Sequence, residues 1–280
     1  MSDTAYPDNI VGKRPSTLYE TSLRETMSTG WCFYFRGIMH DTMYHFLVGL
    51  LDLFLWGGTL EGEENLPGQG PAVFVANHLD ATGPIACHCS IPMRLHPWSL
   101  GDMMNPAQAP GYLNQDFVER QLHLKPPFSL QFSRFLARIT VPMFHALGCI
   151  PVNKGDYAGM QETLERSMDV LRDSRYLLIF PEDPLLEAVD STGIKPFLHT
   201  FARLGERYYA ETGKRLAFYP VAVHQDGVVQ VAEPILYNPL RKLGEERQRI
   251  KDLVESRIHQ MYETLGGKQG DALALCPERK

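Results

Sequence analysis

At 280 residues the chain exceeds a usual single domain yet lies within reach of one α/β unit with additions, and 44% hydrophobic residues supply a sizeable core. A formal net charge of −6 argues against nucleic acid as a partner, because phosphate backbones select basic surfaces. The cysteines, Cys32, Cys87, Cys89, Cys149 and Cys276, are odd in number and lack framework spacing, which points to a reducing compartment.

Residues 1–28 read as a polar arm without the apolar core of a secretory signal. Residues 29–57 form an aromatic helical extension, from Trp31 to Trp56. Its apolar run, Met43 to Gly58, is too short for a membrane span and is interrupted by Asp52. The aromatic content suits helices lying in a membrane interface, and packing on the domain as ordinary core fits the same pattern.

The α/β domain is expected over 58–265. A short strand over 58–64 and a turn at 68–71 precede Ala72 to Ala76, a continuous β-branched and aromatic run of the kind buried on both faces. That strand stops at Asn77-His78. Ligands of open α/β sheets bind beyond the carboxyl ends of the strands, so His78 stands where a general base would work. A strand-end histidine that only bonds a loop is the alternative. Asp80 to Gly83 reads as a tight turn and Pro84 as the first residue of a helix. Cys87-His88-Cys89, with His78 and His96 near in sequence, matches no common zinc spacing, and no metal is expected.

Pro97 to Leu100 reads as a strand and 102–125 as an irregular excursion of the kind that forms lids or binding loops. Phe128 to Leu147 is helical, with Pro142 as its end or kink. Phe128, Phe132, Phe135, Leu136 and Ile139 define its apolar face. The pair Arg134 and Arg138 then reads as the solvated flank of a buried helix, or as the basic edge of a membrane-facing one. A strand at Ile150 to Val152 leads to Lys154, and an amphipathic helix over Tyr157 to Arg172 feeds a strand from Tyr176 that ends in Phe180-Pro181-Glu182. Strands at 216–224 and 228–231, a helix over 240–265 stopped by Gly266-Gly267, and a flexible tail, 266–280, complete the chain. Alternating strands and helices predict an α/β fold, a central mostly buried sheet covered by helices on both faces.

Four landmarks spread over residues 58–238 resemble the glycerolipid acyltransferases, the lysophosphatidic-acid and glycerol-3-phosphate acyltransferase family. These are Asn77-His78, the glycine–apolar–basic run ending at Lys154, Phe180-Pro181-Glu182, and the strand Phe218-Tyr219-Pro220-Val221. The resemblance implies transfer of a fatty acyl group from acyl-CoA or acyl carrier protein to a hydroxyl of a lysophospholipid or glycerol-phosphate-like acceptor. It needs no resident cofactor. It further implies a membrane-associated protein on the cytoplasmic face, with His78 as base and with Asn77, Lys154, Glu182 and Lys195 on the substrate side.

The chain departs from the family pattern twice. The family places an aspartate at the position of Gly83, leaving Asp80 as the nearby carboxylate, and the residues after Glu182 are Asp183-Pro184-Leu185 in place of Gly-Thr-Arg. Either Asp80 orients His78, in which case an aspartate introduced at 83 would partly rescue its loss, or the chain is a weakened or inactive acyltransferase fold that binds lipid or membrane. A lipid-ester hydrolase built on His78 lacks a Gly-x-Ser-x-Gly nucleophile elbow.

Overall fold

The computed structural model describes residues 41–79, 82–120, 122–153, 157–188 and 192–274. Its centre is a mixed sheet, in chain order β1 (Thr59–Glu61), β2 (Ala72–Ala76), β3 (Leu95–Leu100), β4 (Ile150–Val152), β5 (Tyr176–Ile179), β6 (Ala217–His224), β7 (Val228–Val231) and β8 (Ile235–Leu236). The spatial order is β1-β7-β6-β2-β5-β3-β4, with β8 also on β6. Strands β6, β2, β5, β3 and β4 run parallel, and β7 and β8 return antiparallel on β6.

Strand β2 sits at the middle because every residue in it is apolar. Val73 and Val75 face one layer, with Leu164, Met168 and Leu171 of α6 (Tyr157–Arg172), Leu204 of α7 (Arg203–Thr212) and Ile250, Val254 and Ile258 of α8 (Leu243–Ala274). Ala72, Phe74 and Ala76 face the other, against Ala86 and Cys87 of α2 (Thr82–Ser90) and Val221, Val223 and Val229 of the sheet. The period-two alternation of a strand puts both sets under cover, and each large side chain so buried stabilises by about 1.5–3 kcal/mol. The expected α/β architecture, with helices on both faces, is the one observed.

Helix α1 (Asp41–Leu51) is amphipathic in its packing. Tyr44 and Val48 are buried, and the Tyr44 hydroxyl lies 2.7 Å from Nδ1 of His88 in α2, while Met43, Phe46 and Leu50 are exposed. No helix among the described residues is long and apolar enough to cross a membrane.

The excursion after β3 consists of α3 (Gly101–Met104), α4 (Ala109–Leu113) and a wide turn of helix over Asn114–Glu119, and then reaches α5 (Phe128–Leu147). Two alternatives left open by the sequence are decided in α5. Pro142 does not end the helix, which runs on to Leu147 and stops at Gly148 in the left-handed conformation. The proline forgoes only its own hydrogen bond, and the carbonyl left over belongs to the exposed Arg138, where water can reach it. Nor do the large apolar residues face inward: Ser129, Ser133, Ala137 and Val141 are buried, while Phe128, Phe132, Phe135 and Ile139 are exposed. Small residues spaced four apart let α5 lie close against α4, and close approach decides the orientation.

A further difference concerns the C-terminal helix, expected to stop at Gly266-Gly267. It continues to Ala274, through the first part of the expected tail. Two mid-helix glycines cost about 1 kcal/mol each, less than it takes to halt a long helix that already has its hydrogen-bond ladder in place.

Candidate active site

Strands β2 and β5 are parallel neighbours, so Asn77-His78 and Phe180-Pro181-Glu182 leave the sheet side by side at its carboxyl end. Asn77 is buried. Its amide nitrogen donates to the carbonyl of Val223 at 2.9 Å and its amide oxygen accepts the Val223 N–H at 2.8 Å. The side chain thus extends the pairing of β2 with β6 past the last paired residues, Ala76 and Val221. Asn77, expected on the substrate side, thus has both of its polar atoms bonded to backbone and fastens β2 to β6.

His78 is exposed, and the edge of its ring meets Phe180 in a T-shaped contact with centroids 5.1 Å apart. Its backbone N–H donates to Oε1 of Glu182 at 2.6 Å. Oε2 of the same carboxylate accepts the backbone N–H of Lys195 at 3.2 Å. Glu182 therefore grips two chain segments with charge-assisted bonds, the stronger kind, and fixes where His78 stands. This is a different task from the substrate contact expected of Glu182. The segment containing Lys195 is joined to the site by two more hydrogen bonds, Asp183 N–H to Pro196 carbonyl and Leu198 N–H to Pro181 carbonyl, which together make an antiparallel bridge between Glu182 and Phe197.

Beyond His78 the chain turns sharply. Leu79 has φ of 41°, a left-handed conformation that costs a branched residue roughly 1–2 kcal/mol, and its carbonyl accepts the N–H of Thr82. Gly83 then packs against the His78 carbonyl, so closely that a Cβ on residue 83 would overlap it. The expectation that an aspartate at 83 could stand in for Asp80 fails on this point. The turn is built for a residue without a side chain.

Asp80 and Lys154 lie outside the described residues. The Nζ of Lys195 reaches the carbonyl of Pro184 at 3.4 Å, at the mouth of the loop that holds Asp183. The Asp183 carboxylate is turned onto its own loop and accepts the N–H of Leu185 at 3.0 Å, which reduces the repulsion that its position in sequence suggests.

Sequence reasoning missed Phe180 as the ring against His78. It also passed over a second histidine at the carboxyl end of the parallel strands. His224 ends β6 with Nδ1 2.8 Å from Oδ2 of Asp226 and its ring 4.5 Å from that of Tyr262, buried. Its signal was a His-x-Asp spacing at a strand end, identical to His78-x-Asp80.

Behind the site, Cys87, His88 and Cys89 sit on α2. Burial pushes the Cys87 thiol pKa far up and, with His96 nearby, lowers His88 to about 4. Neutral His88 and the Tyr44 hydroxyl share one hydrogen bond at Nδ1, whose direction follows the imidazole tautomer. Among the described residues no group of three or more His, Cys, Asp or Glu could hold a metal ion.

No model of a known protein family matches the chain, and no curated protein matches it. Among solved structures it is similar to the 1-acyl-sn-glycerophosphate (LPA) acyltransferase PlsC from Thermotoga maritima, at 11% identity over 79% of this chain and 82% of that one, with a TM-score of 0.44. A likeness at that level assigns neither residues nor a reaction to this chain.

Proposed function

We propose that the protein is an O-acyltransferase that moves a fatty acyl group from a thioester, acyl-CoA or acyl carrier protein, to a hydroxyl of a lysophospholipid or glycerol-phosphate-like acceptor at the cytoplasmic face of a membrane. The observation that supports this best is the exposed His78 at the carboxyl end of the most buried strand, its backbone gripped by Glu182. In the reaction the imidazole takes the acceptor's hydroxyl proton as the oxygen attacks the thioester carbonyl. The tetrahedral oxyanion collapses, the C–S bond breaks, and the departing thiolate takes the proton back from the imidazolium. Backbone N–H groups of the 78–84 turn would meet the oxyanion, and Lys154 and Lys195 the acceptor's phosphate. No resident cofactor enters this scheme.

Asp80 is assigned the orienting role. Support comes from β6, where the same His-x-Asp spacing brings Asp226 to 2.8 Å from His224, so two residues suffice to close such a pair. A second reading, a weakened or inactive acyltransferase fold that binds lipid or membrane, draws on Gly83, whose tight packing leaves no room for the family's carboxylate.

The test supplies purified protein with an acyl-CoA and a panel of lysophospholipids, following free thiol and diacyl product together. Thiol release that requires the acceptor and matches product supports acyl transfer. Thiol release without acceptor would mean thioester hydrolysis, and no turnover with any pair would favour the second reading.

A further inference from the structure

Helix α5 is amphipathic in an inverted sense. Its inward face is small and its outward face is large: Phe128, Phe132, Phe135, Ile139 and Met143 stand 71%, 37%, 55%, 52% and 40% exposed. At 100° per residue these five positions fall within an arc of about 80°, a single stripe along the helix. Residues 122–128, leading into it, are all exposed and include Leu122 and Leu124. Burying such a stripe is favourable, so an uncovered one marks a contact surface.

Charge identifies what covers it. From Arg120 to Gly155 the sequence contains no Asp or Glu, although the whole chain holds 33, and it carries Arg120, Lys125, Arg134, Arg138 and Lys154. Arg134 and Arg138 are exposed and lie one turn apart, along one flank of the stripe. A chain with net charge −6 thus keeps a purely basic segment around three exposed phenylalanines. We propose that the outward face of α5, with the segment that leads into it, docks the protein on an anionic lipid bilayer. Phe128, Phe132, Phe135 and Ile139 enter the acyl boundary, and the arginines meet lipid phosphates. An antiparallel pairing of two copies through the same face fits less well, because it would set Arg134 and Arg138 of each on the same side as those of the other. The excursion carrying α5 leaves β3 at the carboxyl end of the parallel strands, the end at which His78 leaves β2. The inference stands on this surface alone and does not require acyl transfer.

The test is sedimentation of the full chain with sucrose-loaded vesicles of phosphatidylcholine, alone or mixed with phosphatidylglycerol, with no substrate present. The parent should pellet with the anionic vesicles, remain in solution with the neutral ones, and be released by salt. Arg134→Gln with Arg138→Gln should weaken partition about thirtyfold. Phe135→Ser with Ile139→Ser should weaken it comparably, at an unchanged thermal midpoint. Four results would overturn the proposal: a parent that binds neither vesicle, equal binding to both, variants that pellet like the parent, or release only by Met43→Ser with Phe46→Ser on α1. Light scattering supplies another, a concentration-dependent dimer of the parent that the α5 variants lose. Because no substrate is present, a failed acyl-transfer assay leaves this result intact.

Discussion

Gly83 and His78 are in backbone contact: a Cβ on residue 83 would stand 2.7 Å from the carbonyl carbon of His78 and 3.0 Å from the carbonyl oxygen of Asn77. Neither partner is the flexible end of a side chain, so any other residue forces the turn to move. Gly83→Ala and Gly83→Asp are both expected to lower the thermal midpoint, by about 2–4 °C for each kcal/mol of strain in a chain of this size. Neither should raise activity. Calorimetry beside a turnover assay checks this, and a more active Gly83→Asp would mean that the turn is looser than described.

Glu182 holds His78 through its carboxylate, with both oxygens committed to N–H donors. Glu182→Gln turns an amide NH2 toward one of those donors, and the His78 backbone should shift. A displacement near 1 Å at a reacting group costs about 10²-fold in rate. The expected pattern is a fall in kcat with KM nearly unchanged. A rise in KM alone would return Glu182 to the substrate-contact role.

Asn77 supplies both hydrogen-bonding partners of the buried Val223 backbone. Asn77→Ala removes both, and an unsatisfied buried polar group costs about 1–3 kcal/mol, so urea unfolding should show a loss of about 2 kcal/mol or more. Asn77→Asp can accept the N–H but faces the carbonyl with another acceptor, and should fall between the parent and Asn77→Ala. Full stability in Asn77→Ala would release the residue for a substrate role.

His88 makes stability depend on pH. Burial lowers its pKa to about 4, whereas an unfolded histidine titrates near 6.5. Between those values the unfolded chain binds the proton and the folded one does not, so unfolding gains as pH falls. The stability held by neutral His88 is complete above about pH 6.5 and is lost on descent toward pH 4, by on the order of 3 kcal/mol. His96, also lowered by burial, acts in the same direction. Urea midpoints across this range should fall steeply for the parent and less steeply for His88→Gln. Equal slopes would mean that His88 titrates normally.

Strand β2 and its neighbours were legible because a continuous apolar run has one stable environment, between two layers. The parallel landmarks Asn77-His78 and Phe180-Pro181-Glu182 could be named for the same reason, since each follows a buried strand. What those residues do there was not legible. Whether a carboxylate such as Glu182 faces a ligand or a backbone N–H depends on contacts between residues 104 positions apart, which no local pattern carries. Helix α5 shows the complementary failure. Its 3.6-residue period was plain, but periodicity gives the faces of a helix without saying which one is inside, and here the small residues won the interior.

The central claim is that His78 is the base and Asp80 orients it, and acyl transfer by His78→Ala and Asp80→Asn beside the parent tests it most directly. His78→Ala should be inactive and Asp80→Asn slowed by up to about 10⁴-fold, the loss seen when an orienting aspartate is removed from a serine-protease triad. Both should keep thermal midpoints close to the parent's, because His78 is exposed. Retained transfer in His78→Ala would contradict the account.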